Sequence, residues 1–341
     1  MHIETNQILN EEMMEYTRCN LCGKDNTELV FEVEEQITGD HKRFRIVKCK
    51  SCELVYVNPR PSKDEIIMYY PPETYCEHQP VGEKKLRRHV ITLVLGSLPG
   101  YSRKTKVFNS ILGKCLGAVL LSQINIVVPF KENGRILDVG CGNGEMIGWM
   151  KEYGWDLHGV DIAKNACEIA RKEGLKTFCG QLHEAQYPTE YFDVITINHV
   201  LEHVHNPLSL LRECNRILKG DGILIAAVPN FGCFDSQLFG KSWYCIDTPR
   251  HLYHFTSETL DAMINAVGFQ VNKRKTKLRV PFYHPSSIKS YRSANPGLLP
   301  LCNVLFKASA GQFIRYIFSK NRCSEFSITL IVYSAKYEHR G

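Results

Sequence analysis

The sequence predicts an α/β protein: a Rossmann-like, doubly wound sheet with an antiparallel edge, joined by a small N-terminal metal ribbon and a helical cap. Three observations carry that expectation. The strand-forming run Arg135 to Val139 enters a turn with glycines at 140, 142 and 144, followed by a stretch of helical character. Beyond it, apolar runs of strand length alternate with amphipathic stretches as far as Gly268. Upstream stand two C-x-x-C pairs, at Cys19 and Cys22 and at Cys49 and Cys52.

With 341 residues the chain has room for about two domains. The expected boundaries are 1–75 for the ribbon-like part, 76–130 for a cap or linker, 131–285 for the cofactor-binding core, and 286–341 for cap helices and a last core strand. A formal charge of +6 is too modest to argue for nucleic acid. Cysteines, 14 in all and scattered through strands and helices, fit a reducing cytoplasm better than a disulfide scaffold. Met1 to Tyr16 is acidic and polar, unlike a signal peptide.

In chain order, the two C-x-x-C knuckles come first. Each offers two thiolates to one ion, and two pairs complete the four-sulfur shell that zinc prefers. Strands are expected at Glu28 to Val33, Arg43 to Lys48 and Leu54 to Val57, which makes a zinc ribbon with Cys19, Cys22, Cys49 and Cys52 as ligands. So short a segment buries too little core alone, and metal binding would supply folding energy. No dense basic patch accompanies the knuckles, so a structural role leads over one in gripping nucleic acid. After Asn58-Pro59-Arg60-Pro61, Ser62 is placed to cap a helix from Lys63 to Tyr70. Tyr69, Tyr70 and Tyr75 surround Pro71-Pro72, either as core packing or as a substrate cover.

From Lys84 to Phe130 basic clusters flank apolar runs at Val90 to Leu98 and Cys115 to Phe130. Neither run reaches the roughly 20 apolar residues of a spanning helix. Two readings stand: a helical cap over the active site, or an amphipathic face resting on anionic lipid at the inner face of a membrane, which would suit a lipid-linked substrate.

The glycine turn decides between nucleotide ligands. A dinucleotide site wants G-x-G-x-x-G, with pyrophosphate on the helix N-terminus. Here the pattern is G-x-G-x-G, Glu145 takes the third glycine's place, and Asp138 stands just before the turn. Those carboxylates would repel pyrophosphate but suit the ammonium and sulfonium of S-adenosylmethionine. A helix is expected from Glu145 to Tyr153, closed by Gly154. Asp161 ends the next strand (Asp156 to Val160), about 20 residues on, where a carboxylate accepts from ribose hydroxyls.

Helix Ala163 to Glu173, strand Leu175 to Cys179 and strand Phe192 to Asn198 follow. Asn206 and Pro207 open a helix expected to close at Gly220, before the strand Gly222 to Val228. Thr256 should cap a helix from Ser257 to Ala266, ending at Gly268. Gln270 to Val280 and Ser327 to Ala335 are the edge strands, and Ser286 to Asn321 completes the cap. Residues able to do acid–base chemistry follow two strand ends: His199, Glu202, His203 and His205 after one, His251 and His254 after the other. Imidazole is suited to deprotonating a hydroxyl nucleophile at neutral pH. His199, directly after its strand, ranks first as base, then His254 and His251.

Leu137-Asp138-Val139-Gly140-Cys141-Gly142, Gly159-Val160-Asp161, Phe192-Asp193-Val194-Ile195 and Gly222-Ile223-Leu224 occur in that order. In this the sequence, from about Arg135 to Phe269, resembles class I S-adenosylmethionine-dependent methyltransferases. The resemblance implies cofactor contacts from Gly140, Gly142, Gly144, Asp161, Ile162 and Asn198, with Asp138 near the methionine end and Gln181 and Leu182 near the adenine. Many relatives carry an acid where Gln181 stands. Glu202-His203 and Pro249-Arg250-His251-Leu252 resemble a subgroup that modifies small molecules and glycans. Quinone-biosynthesis and small-RNA methyltransferases resemble the first stretch through a metal-binding E-x-x-E-H, but His199 stands where its first Glu would be. Cys19 to Tyr75 resembles the zinc-bearing part of sugar-modifying methyltransferases.

The implied function is methyl transfer from S-adenosylmethionine to a small molecule or glycan, at oxygen, in the cytoplasm. The rivals are a sugar C-methyltransferase, a ribosomal-RNA methyltransferase with a zinc ribbon, and a cofactor-binding assembly protein without catalysis.

Overall fold

The computed structural model describes residues 14–35, 38, 41–70, 101, 126–278 and 327–336. The expectations for Tyr75, for 84–125 apart from Tyr101, and for 286–321 lie outside them. The described chain divides into two compact units, one from 14–69, 229–260, 276–278 and 327–330, the other from 70, 101, 126–228, 261–275 and 331–336.

The second unit is built on a mixed sheet. Its first strand, β6 (Arg135–Val139), lies between β7 (Asp156–Asp161) and β9 (Phe192–Asn198), and β8 (Lys176–Cys179) and β10 (Leu218–Pro229) flank these. These five strands run parallel. On the far side, β13 (Ser327–Lys336) pairs beside β10 and β12 (Phe269–Leu278) closes the order β12-β13-β10-β9-β6-β7-β8. Central parallel strands are covered on both faces, and the near-continuous apolar runs of β6 and β9 are buried accordingly. Helices α1 (Lys164–Lys172) and α2 (Pro207–Ile217) supply cover through Ala166, Cys167, Ala170, Leu208, Leu211 and Cys214. The chain leaves β6 toward β7 on one side and returns to β9 on the other, so the switch point lies at the carboxyl ends of β6 and β9.

Several elements depart from expectation for identifiable reasons. Only a 3₁₀ helix, Gly148–Tyr153, forms where an α-helix from Glu145 was expected. The indole of Trp149 donates to the Met146 carbonyl (2.7 Å), the acceptor an α-helical Met150 would use, and Met150 N–H turns to Ile147 instead. Gly154 closes it in the left-handed conformation, as expected. Helix α2 stops at Ile217, not at Gly220, because Leu218 is fully buried and already paired with Phe192 in the β10 ladder. Ser62 does cap, accepting Glu65 N–H at 3.2 Å, but the helix after it shrinks to a single 3₁₀ turn, Ile66–Tyr69.

The first unit holds β1 (Met14–Glu15), β2 (Thr27–Glu34), β3 (Arg43–Cys49), β4 (Val55–Val57) and β5 (Arg60–Pro61). Residues 230–255, beyond β10, join them. They fold through α3 (Phe234–Phe239) and two 3₁₀ turns to β11 (Tyr253–His254), which precedes α4 (Ser257–Asn265). β11 pairs with β4, giving a sheet in the order β11-β4-β3-β2. Phe44, Ile46, Val55, Val57 and Tyr69 pack with Cys233, Phe239, Trp243 and Ile246 in one core. Tyr69 is therefore core packing, its ring edge-on to Phe44. Arg60 ties both strand sets together, donating to Glu15 (2.7 Å) and to the Tyr253 hydroxyl (3.0 Å).

Candidate cofactor and metal sites

At the carboxyl end of β6 the chain takes left-handed φ at Gly140 (70°), Gly142 (51°) and Gly144 (79°). A side chain at 140 would be strained by that backbone and would also sit 2.3 Å from the Val200 side chain. Asp161, at the end of β7, accepts Gly142 N–H at 2.8 Å through one oxygen and Ala163 N–H at 2.9 Å through the other. The acid and the turn thus form one rigid cradle. Beside it Ile162 is 77% exposed, an apolar side chain available to a flat ring.

Asp138 is fully buried next to Thr196, its register partner on β9, whose hydroxyl donates to it at 2.7 Å. Burial pushes its carboxyl up to about 8, against the Thr196 hydrogen bond and with help from the charge of Asp161. Asn198 ends β9 with its side-chain oxygen buried and without a hydrogen-bond partner among the described residues. A buried acceptor and a buried carboxyl at one strand edge fit a ligand that brings an ammonium group. Gln181 stays exposed and opens the 3₁₀ turn Leu182–Ala185, its N–H donating to Glu184 at 2.6 Å. Leu182 is buried.

His199 follows β9 with φ of 56°. Its N–H donates to the Ala227 carbonyl (2.8 Å), and its Nδ1 lies 3.1 Å from Oε1 of the fully buried Glu202. His203 turns its Nδ1 to the Tyr70 hydroxyl at 2.9 Å. Thr196 is a partner that sequence reasoning did not single out, whereas Glu202 and Tyr70 were named there without their pairing to His199 and His203.

His251 and His254 belong to the other unit and are both buried. His251 Nδ1 lies 2.7 Å from the Cys245 carbonyl and its Nε2 3.7 Å from Asp247, which pins the loop before β11. His254 lies on β11, paired with Val55, its ring centroid 5.5 Å from that of Phe231.

In the same unit the sulfurs of Cys19, Cys22, Cys49 and Cys52 lie within 4.8 Å of one another. Cys19–Cys52 and Cys22–Cys49 approach to 3.4 and 3.5 Å. Tetrahedral thiolates around zinc, bonded at about 2.3 Å, would stand about 3.8 Å apart, so the four residues fit that ion. The two knuckles share one backbone design: Gly23 N–H returns to Cys19 O and Glu53 N–H to Cys49 O, with left-handed φ at both Gly23 and Glu53. Burial raises the Cys49 thiol, yet the N–H groups of Ser51 and Cys52 outweigh it and hold the thiol down to about 7.

A doubly wound mixed sheet with a glycine turn after its first strand and an acid after its second fits a class I S-adenosylmethionine-dependent methyltransferase domain. Residues 118–273 match the family model described as a methyltransferase domain, and this part of the chain belongs to that class. The ubiquinone biosynthesis O-methyltransferase of Proteus mirabilis is 36% identical over 96 residues, covering 26% of this chain and 39% of that protein. The enzyme of the same name from Xanthomonas oryzae is 30% identical over 130 residues, covering 36% and 54%. The chain thus spans about half or less of the length of these curated relatives. A solved S-adenosylmethionine-dependent methyltransferase from Archaeoglobus fulgidus is 23% identical, covering 65% of this chain and 94% of that one, with a TM-score of 0.43.

Proposed function

We propose that this chain moves the methyl group of S-adenosylmethionine to a hydroxyl oxygen of a small molecule, with His199 as the proton acceptor. The observation that carries the reading is the cradle of Gly140, Gly142 and Asp161 at the strand edge where Asp138, Asn198 and His199 also stand. The names of the relatives, O-methyltransferases of ubiquinone biosynthesis, support oxygen as the acceptor atom and a small molecule as its bearer.

When bound, the cofactor supplies a methyl group already activated on sulfur. Asp161 would hold the ribose, Ile162 and Leu182 the adenine with Gln181 at its rim, and Asp138 and Asn198 the amino-acid end. Alignment of this kind supplies roughly 7–11 kcal/mol of barrier reduction. His199 would accept the hydroxyl proton, a contribution of about 10²–10⁴-fold; His254 and His251 rank behind it, both being built into the ribbon's unit. The four cysteines would hold a structural zinc ion. Cysteine usage and this cofactor favour the cytoplasm, and among the described residues no helix is long and apolar enough to cross a membrane.

Calorimetry should find one S-adenosylhomocysteine bound per chain, weakened by about 1.5–3 kcal/mol in Asp161→Ala. Turnover should be followed with radiolabelled S-adenosylmethionine and a panel of catechols and hydroxybenzoates. His199→Ala should lower it at least about a hundredfold with cofactor affinity nearly intact. Binding of NADH but not of S-adenosylhomocysteine would overturn the cofactor reading. Wild-type turnover in both His199→Ala and His254→Ala would show that alignment alone suffices.

A further inference from the structure

We infer that Glu202 is a positioning residue for His199, forming with it a carboxylate–imidazole pair that leaves Nε2 as the atom that takes the acceptor's proton. The inference rests on His199 acting as the base.

The turn after β9 is folded to make this contact. His199 takes a left-handed backbone that a residue with a side chain rarely adopts, held by its own N–H on the Ala227 carbonyl. The next residues reverse direction, with His203 N–H donating to the Val200 carbonyl at 2.9 Å. That reversal puts Leu201 and Glu202 inside, both without measurable exposure, while the His199 side chain stays 34% exposed. Buried carboxylates need charged or donor partners, and Nδ1 of His199 stands at hydrogen-bond distance, 3.1 Å from Oε1.

A carboxylate that accepts the Nδ1 proton fixes the ring's rotamer and its tautomer together. The Nε2 lone pair is then the ring's basic site, and the carboxylate stabilises the imidazolium once Nε2 has been protonated. Proton and charge balance follow. The hydroxyl proton goes to Nε2, the oxygen forms its bond to carbon as the carbon–sulfur bond breaks, and the sulfonium's electron deficit ends as the charge on imidazolium, which then loses the proton to water.

The tautomer can be read without knowing the acceptor. Long-range proton–nitrogen correlation spectra of the full chain, labelled in histidine nitrogen, would identify the His199 ring by its loss in His199→Gln. Above the pH at which the ring ionises, the pair predicts a proton on Nδ1 and none on Nε2, opposite to the preference of free imidazole side chains. Glu202→Gln keeps an acceptor oxygen and should retain the Nδ1 proton; Glu202→Ala should lose it. With a catechol acceptor, Glu202→Ala should cut kcat about tenfold or more while the KM for S-adenosylmethionine stays within about twofold, and Glu202→Gln should fall between. A wild-type His199 protonated on Nε2, or a tautomer unchanged in Glu202→Ala, would overturn the inference. An Nδ1 proton in the wild type together with full turnover in His199→Ala would leave the pair standing and remove only the base reading.

Discussion

Asp138 is a residue whose chemistry the fold alters strongly. Its carboxyl is raised to about 8 by burial, although Thr196 donates to its charged form. An unfolded chain would ionise it near the usual carboxylate value of about 3.9. Between those values the folded state holds a proton that the unfolded state has lost, so this group's contribution falls as pH rises through the window and levels off above it. Asp138→Asn should therefore gain stability relative to the wild type as pH rises from about 4 to 8, a trend denaturant melts would show; a difference independent of pH would contradict the buried, protonated state. A cofactor ammonium next to this carboxyl would drive the proton off. S-adenosylhomocysteine binding at pH 7 should then have an enthalpy that depends on the ionisation enthalpy of the buffer in the wild type and not in Asp138→Asn. Asp138 and Asp161 were legible because one precedes the glycine turn and the other ends the following strand, where carboxylates suit a cationic, ribose-bearing ligand. Thr196 was not, since its partnership depends on the Asp138–Thr196 register, which nothing local in the sequence announces.

At the scale of elements, β4 is the strand that couples the metal knuckles to the segment after β10, pairing with β3 on one side and β11 on the other. Cys49 ends β3 and its knuckle leads into β4, so the ion would clamp the turn that sets this register. Cys49→Ser should release one zinc per chain to a chromophoric chelator. Hydrogen exchange should rise at 43–57 and at 252–255 while 135–139 and 192–198 stay protected. Metal-free protein with unchanged protection at 252–255 would rule the clamp out. The ribbon strands were readable from alternation between two C-x-x-C pairs, and β9 from a near-continuous apolar run. β11 was not readable, because two residues carry no period and its pairing partner lies almost 200 positions away, on the order of a separation that no local pattern records. The 3₁₀ turn at 148–153 escaped for another reason: a side chain, Trp149, competes for a backbone carbonyl there.

For the molecule as a whole, sequence order and compact units do not coincide, because residues 229–260 leave the methyltransferase sheet and fold with the ribbon before the chain returns. The proposed ligands divide in the same way: the four cysteines are in one unit, and the glycine turn with Asp138 and Asp161 is in the other. A ligand stabilises the structure that forms its site, by about 2.7 kcal/mol at a hundredfold excess over Kd. For a unit of this size that is a rise in Tm of roughly 5–10 °C. Scanning calorimetry should accordingly show S-adenosylhomocysteine raising one transition and a zinc chelator lowering another. Cys49→Ser should reproduce the chelator's effect and Asp161→Ala should abolish the cofactor's. A single transition moved equally by both ligands would mean that the excursion at 229–260 welds the two units into one cooperative fold, and that loss of metal would then cost the cofactor site as well.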